Sequence, residues 1–225
     1  MAFAGFGPQA LPFFKALAFH QTKEWFEANR AIYENEVKAP FGDLVEAVAA
    51  ALARAGIPLK GDRKASLFRL NRDVRFSNDK RPYKTHAGAV LTRTGAKDSQ
   101  GLLYIHIDPN GCFAAAGFYQ PEADELNRMR RSIARAPEAY AAVIAALAKG
   151  KLRLSDEHSL TRLPRGFEAV TAPAVAEAVK RKSHICSRPI AEAKLGDTRL
   201  VNDLHNFATA ALPLLEWGWS AIDAL

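Results

Sequence analysis

The stretch Leu102-Leu103-Tyr104-Ile105-His106-Ile107-Asp108-Pro109-Asn110-Gly111-Cys112-Phe113-Ala114-Ala115-Ala116-Gly117-Phe118-Tyr119 decides the fold. From 102 to 108, Leu103, Ile105 and Ile107 alternate with Tyr104, His106 and Asp108. This period of two sends successive side chains to opposite faces of a strand. Asp108-Pro109-Asn110-Gly111 is built of turn-forming residues, and Cys112 to Tyr119 reads as the returning strand. The pair is an antiparallel hairpin with one apolar face and one polar face carrying Tyr104, His106 and Asp108.

Outward from the hairpin, Ser66 to Phe76 and Thr85 to Arg93 also read as strands. Upstream, Thr22 is placed to cap a helix whose positions Trp25, Phe26, Ile32, Tyr33 and Val37 recur at helical spacing, with Asn29 the exception. Pro40 suits the first turn of a second helix that buries Leu44, Val45, Val48 and Leu52 and stops at Gly56. Downstream, Pro121 opens a helix with Glu122, Asp124 and Glu125 in its first turn and Arg128, Arg130 and Arg131 beyond, the order that the helix dipole favours. Pro137 restarts a helix that ends at Gly150. Ala174 to Lys182 and Asp197 to Trp219 complete the helical segments, the last expected to kink near Pro213. Leu152 to Phe167 receives no firm element. Helices before and after a central run of strands define an α+β fold, a central antiparallel sheet flanked by N-terminal and C-terminal helices. With no linker composition and no fixed-period repeat, residues 1–225 read as a single domain.

Two cysteines, Cys112 and Cys186, supply neither a disulfide framework nor paired-cysteine metal spacing, and they read as reduced, buried thiols. The first residues are apolar but lack a cationic opening, and no uncharged apolar run approaches the ~20 residues of a bilayer span. A soluble, cytoplasmic protein without membrane partners is the expectation.

The net charge of +7 is concentrated in one place. Between Lys60 and His86 lie nine Lys and Arg residues against Asp62, Asp73 and Asp79, a surplus of +6, while the other 198 residues carry +1. A local surplus points to an anionic partner for one face. If residues 67 to 77 are extended, Phe68, Leu70, Arg72, Val74 and Phe76 share a face, and Arg72 is its one charge. A guanidinium on an apolar face needs a carboxylate or an anion. A bulge near Asn71 would instead return Arg72 to solvent. Beyond the turn Ser77-Asn78-Asp79-Lys80, Pro82 stiffens a presenter of Tyr83, Lys84 and His86.

The run Arg72-Asp73-Val74-Arg75-Phe76-Ser77-Asn78-Asp79-Lys80-Arg81-Pro82-Tyr83-Lys84-Thr85-His86 resembles the signature of the uncharacterised conserved family called domain of unknown function 2461 (DUF2461). The resemblance extends from Phe14, Leu17 and Trp25-Phe26 through Tyr104, Pro109, Gly111, Gly117, Pro121 and Leu163-Pro164-Arg165-Gly166-Phe167 to Pro213 and Trp217. It implies a single α+β domain of bacterial or fungal type and supplies no activity, cofactor or catalytic residue. Where the family is glycine-rich after the hairpin, this chain has Ala114-Ala115-Ala116-Gly117, which argues against a close backbone approach to a ligand there.

The functional reading is a binding module or enzyme for a small phosphorylated or carboxylated compound held by Arg69, Arg72, Arg75, Lys80, Tyr83, Lys84 and His86, with Asp73 and Asp79 as structural partners. The alternatives are a nucleic-acid-binding protein using the same patch, with Phe68, Phe76 and Tyr83 interleaved among the cations, and a salt-bridge network with no ligand. No reaction is assigned; His86 and His106 are the candidate acid–base pair, against a plain solvated sheet face. No metal and no cofactor is expected, since His184-Ile185-Cys186 lacks a third ligand at regular spacing and no common nucleotide or hydrolase signature is present. His20, His158 and His205 are isolated. Oligomeric state is not assigned.

Overall fold

A computed structural model describes residues 2–75 and 78–224. Helix α1 (Ala10–Phe19) is followed by α2 (Lys23–Ile32), which Thr22 caps as expected, its hydroxyl accepting from the Trp25 N–H at 3.2 Å. Pro40 stands in the first turn of the next helix as expected, but no gap separates that helix from α2. A π-helical turn, Tyr33–Lys38, leads directly into α3 (Ala39–Arg54), with the Ala39 N–H bonded five residues back to Glu34. Proline has no N–H for the Glu36 carbonyl, which in an α-helix would bond to residue 40, and the widened turn absorbs that loss. The Glu36 carbonyl instead accepts from Gly7 at 3.2 Å, and its carboxylate accepts from the Gln9 N–H at 2.6 Å, at the start of α1.

Glu36 thus supplies the anionic cap that α1 lacks in its own sequence. Glu36→Ala is expected to cost about 1–2 kcal/mol, and Glu36→Gln less, as read from chemical denaturation midpoints.

Strands β1 (Ala87–Thr92), β2 (Leu102–Ile107), β3 (Cys112–Phe118) and β4 (His184–Ile190) form an antiparallel sheet in the order β1-β2-β3-β4. The hairpin is as read: Gly111 donates to the Asp108 carbonyl at 3.0 Å, and Leu103, Ile105 and Ile107 are fully buried. The strand expected over Ser66 to Phe76 does not form in its described residues, 66–75. This segment touches the sheet through isolated bridges, Leu67 with Ala89 and, before it, Lys60 with Thr92, which occupy the outer edge of β1. A further bridge, Asn71 with Tyr83, closes a loop on itself through Arg72 N–H to the Pro82 carbonyl and Lys84 N–H to the Leu70 carbonyl, both 2.9 Å. The alternation fails at Phe68, which is 37% exposed while Ser66 and Leu70 are buried. Phe76 and Ser77 lie outside the described residues.

The chain forms two compact units. Unit one comprises Met1–Lys97, Tyr104–Ala114 and Pro189–Asn206; unit two comprises Asp98–Leu103, Ala115–Arg188 and Phe207–Leu225. Their boundaries fall after Lys97, inside β2, β3 and β4, and inside the C-terminal helix after Asn206. In unit one, Phe13 packs against Trp25, Phe26 and Tyr33, while Leu44, Val45, Val48 and Leu52 are buried as expected. In unit two, α4 (Ala123–Arg135) begins with a Glu122–Glu125 capping box and is followed by α5 (Pro137–Lys149) and α6 (Pro173–Lys180). Buried Arg130 donates to the Val179 carbonyl at 2.8 Å, tying α4 to α6. Helix α7 (Leu200–Asp223) runs on through Pro213. Both cysteines are free and buried. No helix among the described residues is long and apolar enough to cross a membrane.

Candidate functional site

The polar face of β2 is not a plain solvated surface. His86, the residue before β1, lies beside His106 with ring centroids 4.6 Å apart, and Phe113 of β3 stacks on His106 at 4.7 Å. Asp108, just past β2, divides its carboxylate: Oδ1 accepts from the Asn110 N–H at 2.7 Å and so shapes the turn, while Oδ2 faces both histidines. His106 Nε2 is 3.5 Å and His86 Nδ1 3.9 Å from that oxygen. The Tyr104 hydroxyl meets His106 Nδ1 at 2.8 Å. Room for Tyr104 comes from Gly88 across the strand pair, where a Cβ would stand 2.7 Å from the hydroxyl.

The side chains of His106 and Asp108 are each 14% exposed and that of His86 34%, so the cluster opens on the His86 side. Burial depresses the pKa of both imidazoles, with His106 adding to the effect on His86 and Asp108 opposing it in both. Burial pushes the Tyr104 hydroxyl up to about 12. These groups can exchange protons and offer lone pairs.

Beside this cluster Lys84 is half-buried, and among the described residues no carboxylate pairs with it. Its pKa is lowered first by burial and then by the charges of Arg69, Lys97 and Arg72. Lys84, at 5.5 Å, and Lys97, at 5.3 Å, both lie over the Phe68 ring. Arg72 is half-buried with Asp79 as its carboxylate at 3.0 Å, although the strand from which that need was argued does not form. Arg69 is mostly exposed and 3.8 Å from Asp73.

The other candidates are held by partners of their own, with Asp73 shared between Arg75 and Arg69 and Asp79 between Arg81 and Arg72. Arg75 is exposed and bonded to Asp73 at 2.7 Å, and Lys80 donates to the Val74 carbonyl at 2.9 Å. Tyr83 is buried and stacks on Phe26 at 4.8 Å, in the helical part of the unit. Arg81 is bonded to Asp79, whose carboxyl is held far below its ordinary value chiefly by that hydrogen bond. Arg63 reaches Asp43 and Glu46 on α3, and its guanidinium holds the Glu46 carboxyl at about 2.

Lys97 and Phe113 were not singled out from sequence. Phe113 was within reach of the alternation, since it shares the parity of the polar face once the turn is counted; Lys97 lies past β1 in a segment without period.

Fold and face together describe an α+β protein whose sheet carries a half-buried histidine–carboxylate cluster flanked by cations. The chain belongs to the conserved hypothetical protein family DUF2461, whose family model matches residues 9–217. Neither the curated proteins nor the solved structures provide a match.

Proposed function

We propose that the protein binds a small phosphorylated or carboxylated compound at the opening of the His86–His106–Asp108 cluster, with Lys84, Arg72 and Arg69 as its principal cations. One observation carries this reading: Lys84 is drawn out of water beside three other cations without a carboxylate of its own. A buried charge in that situation costs free energy that an anion returns. Arg75, Arg81 and Arg63 fit the salt-bridge alternative instead, since each is exposed and bonded to its acid at 2.7 Å, whereas Arg72 is half-buried and shares Asp79 with Arg81, and Arg69 stands 3.8 Å from Asp73. The adjoining imidazoles would give a bound compound acid–base groups, His86 at the mouth and His106 behind it.

The test is a melting-temperature screen with inorganic phosphate, pyrophosphate, nucleoside phosphates and di- and tricarboxylic acids. A compound at 100 times its Kd stabilises the native state by about 2.7 kcal/mol. That shift is expected to vanish in a Lys84→Ala, Arg72→Ala double variant and to persist in an Arg75→Ala, Arg81→Ala variant. If no compound shifts the wild type, or the two double variants respond alike, the reading is wrong.

Exposure of Phe68 beside two lysines favours one second reading, a single-stranded nucleic acid with a base stacked on that ring. Affinity for an oligonucleotide would then fall linearly with salt on logarithmic axes and drop on Phe68→Ala. No binding at low salt removes it.

A further inference from the structure

His86, His106 and Asp108 each offer one ligand atom, and these all lie within 4.8 Å of one another; Asp108 Oδ2 is the oxygen that approaches both His106 Nε2 and His86 Nδ1. At 3.5 Å and 3.9 Å, the two carboxylate–imidazole contacts are longer than the ~2.7–3.2 Å of a well-formed nitrogen–oxygen hydrogen bond, so the three groups face one another with room between them. Donor atoms bound to a tetrahedral ion at about 2.0 Å stand about 3.3 Å apart, close to the shorter separation and within side-chain rotation of the longer.

We propose that His86, His106 and Asp108 bind a divalent first-row transition-metal ion through His86 Nδ1, His106 Nε2 and Asp108 Oδ2. Two imidazoles and one carboxylate suit Zn2+ or Fe2+, whereas Mg2+ and Ca2+ take oxygen ligands. Three protein ligands leave coordination positions open, as in sites that act on a substrate rather than hold a fold together.

Three surrounding features fit the assignment. Tyr104, 2.8 Å from His106 Nδ1, is the outer partner that fixes ring orientation: when Nδ1–H donates to the hydroxyl oxygen, Nε2 carries the lone pair toward Asp108. Phe113 stacked on His106 holds the ring plane. Asp108 Oδ1 is tied to Asn110, which leaves Oδ2 for the ion. Nearby Lys84 and Arg72 repel a bare cation, and the site therefore favours a metal carrying an anionic oxygen in an open position. The proposal rests on the three ligands and not on the anion reading, because the cations are separate residues that can be removed independently.

The test titrates the metal-freed full-length chain with Zn2+ by calorimetry and with Co2+ by visible absorption. One equivalent is expected, with Zn2+ displacing Co2+ and neither Mg2+ nor Ca2+ competing. Tyr104→Phe is expected to weaken binding about 10- to 100-fold. His106→Ala and Asp108→Asn are expected to lose the stoichiometric event. Asparagine can still make the turn, so metal-free melting of Asp108→Asn checks that the fold is intact. Binding must survive in the Lys84→Ala, Arg72→Ala variant, which separates this result from the anion screen. Absence of one-equivalent binding, equal competition by Mg2+, or undiminished binding in His106→Ala or Asp108→Asn overturns the proposal.

Discussion

Gly117→Ala is expected to leave little folded protein. Gly117 in β3 has φ +129°, which side-chain-bearing residues rarely adopt, and a Cβ there would stand 2.0 Å from the His184 carbonyl oxygen of β4. Strain of this kind costs about 1–3 kcal/mol, and overpacking adds about as much again or more. A long side chain could swing aside; the obstacle here is strand backbone. Together they approach the roughly 5–15 kcal/mol by which whole domains are stable. Gly56→Ala is the control: φ is +71° but nothing lies within 4 Å, so only backbone strain of about 1 kcal/mol is expected. The measurement is soluble yield and chemical denaturation of both variants. Equal stability of the two would mean that β3 and β4 do not pack this closely at Gly117. The glycine is therefore explained by strand packing.

Acid is expected to destabilise unit two through His184, at the start of β4. Its ring is fully buried, with Nδ1 3.1 Å from the Tyr140 hydroxyl and Nε2 without a partner. Burial, reinforced by Arg181 and Arg130, depresses its pKa to about 3. The unfolded chain protonates the residue near its ordinary value of 6.5, so between pH 6.5 and 3 the unfolded state binds more protons than the native state. Stability conferred by the neutral ring is complete above about pH 6.5 and is lost as pH falls through that window. The loss totals roughly 4–5 kcal/mol if the protein stays folded to the end of it. His86 and His106 act in the same direction, so the decisive quantity is a difference. Denaturation midpoints of wild type and His184→Asn, compared from pH 7 to 4.5, should converge as pH falls. Parallel curves would show that His184 takes up its proton in the native state without penalty.

How far the sequence carried the structure depended on whether a segment's cues were local. The hairpin at 102–118, the Thr22 cap and the acidic start of α4 are specified by neighbouring residues and form where they were expected. β4 escaped because Ser187-Arg188-Pro189 break its alternation, and such a strand survives at the sheet edge, where a missing N–H costs least. At Pro40 local chemistry pointed correctly to the first turn of a helix but not to its continuity with α2, which the π turn and the distant N–H of Gly7 provide.

For the site, parity put Tyr104, His106 and Asp108 on one face, but bringing His86 to them required the pairing of β1 with β2. Charge counting failed in the opposite sense. Arg63 belongs to the basic stretch in sequence and to the acids of α3 in space. What survives of the +6 surplus is the small group around Lys84.

Asp108 serves two masters, and the two make unequal demands. The corner between β2 and β3 asks only for a short side-chain oxygen, which an amide provides as readily as an acid. The negative charge is therefore superfluous to chain reversal and of use only to the imidazoles beside it. An exchange of one carboxylate oxygen for nitrogen would remove the negative charge from this face and leave its architecture standing, so that the two can be inherited, lost or engineered apart.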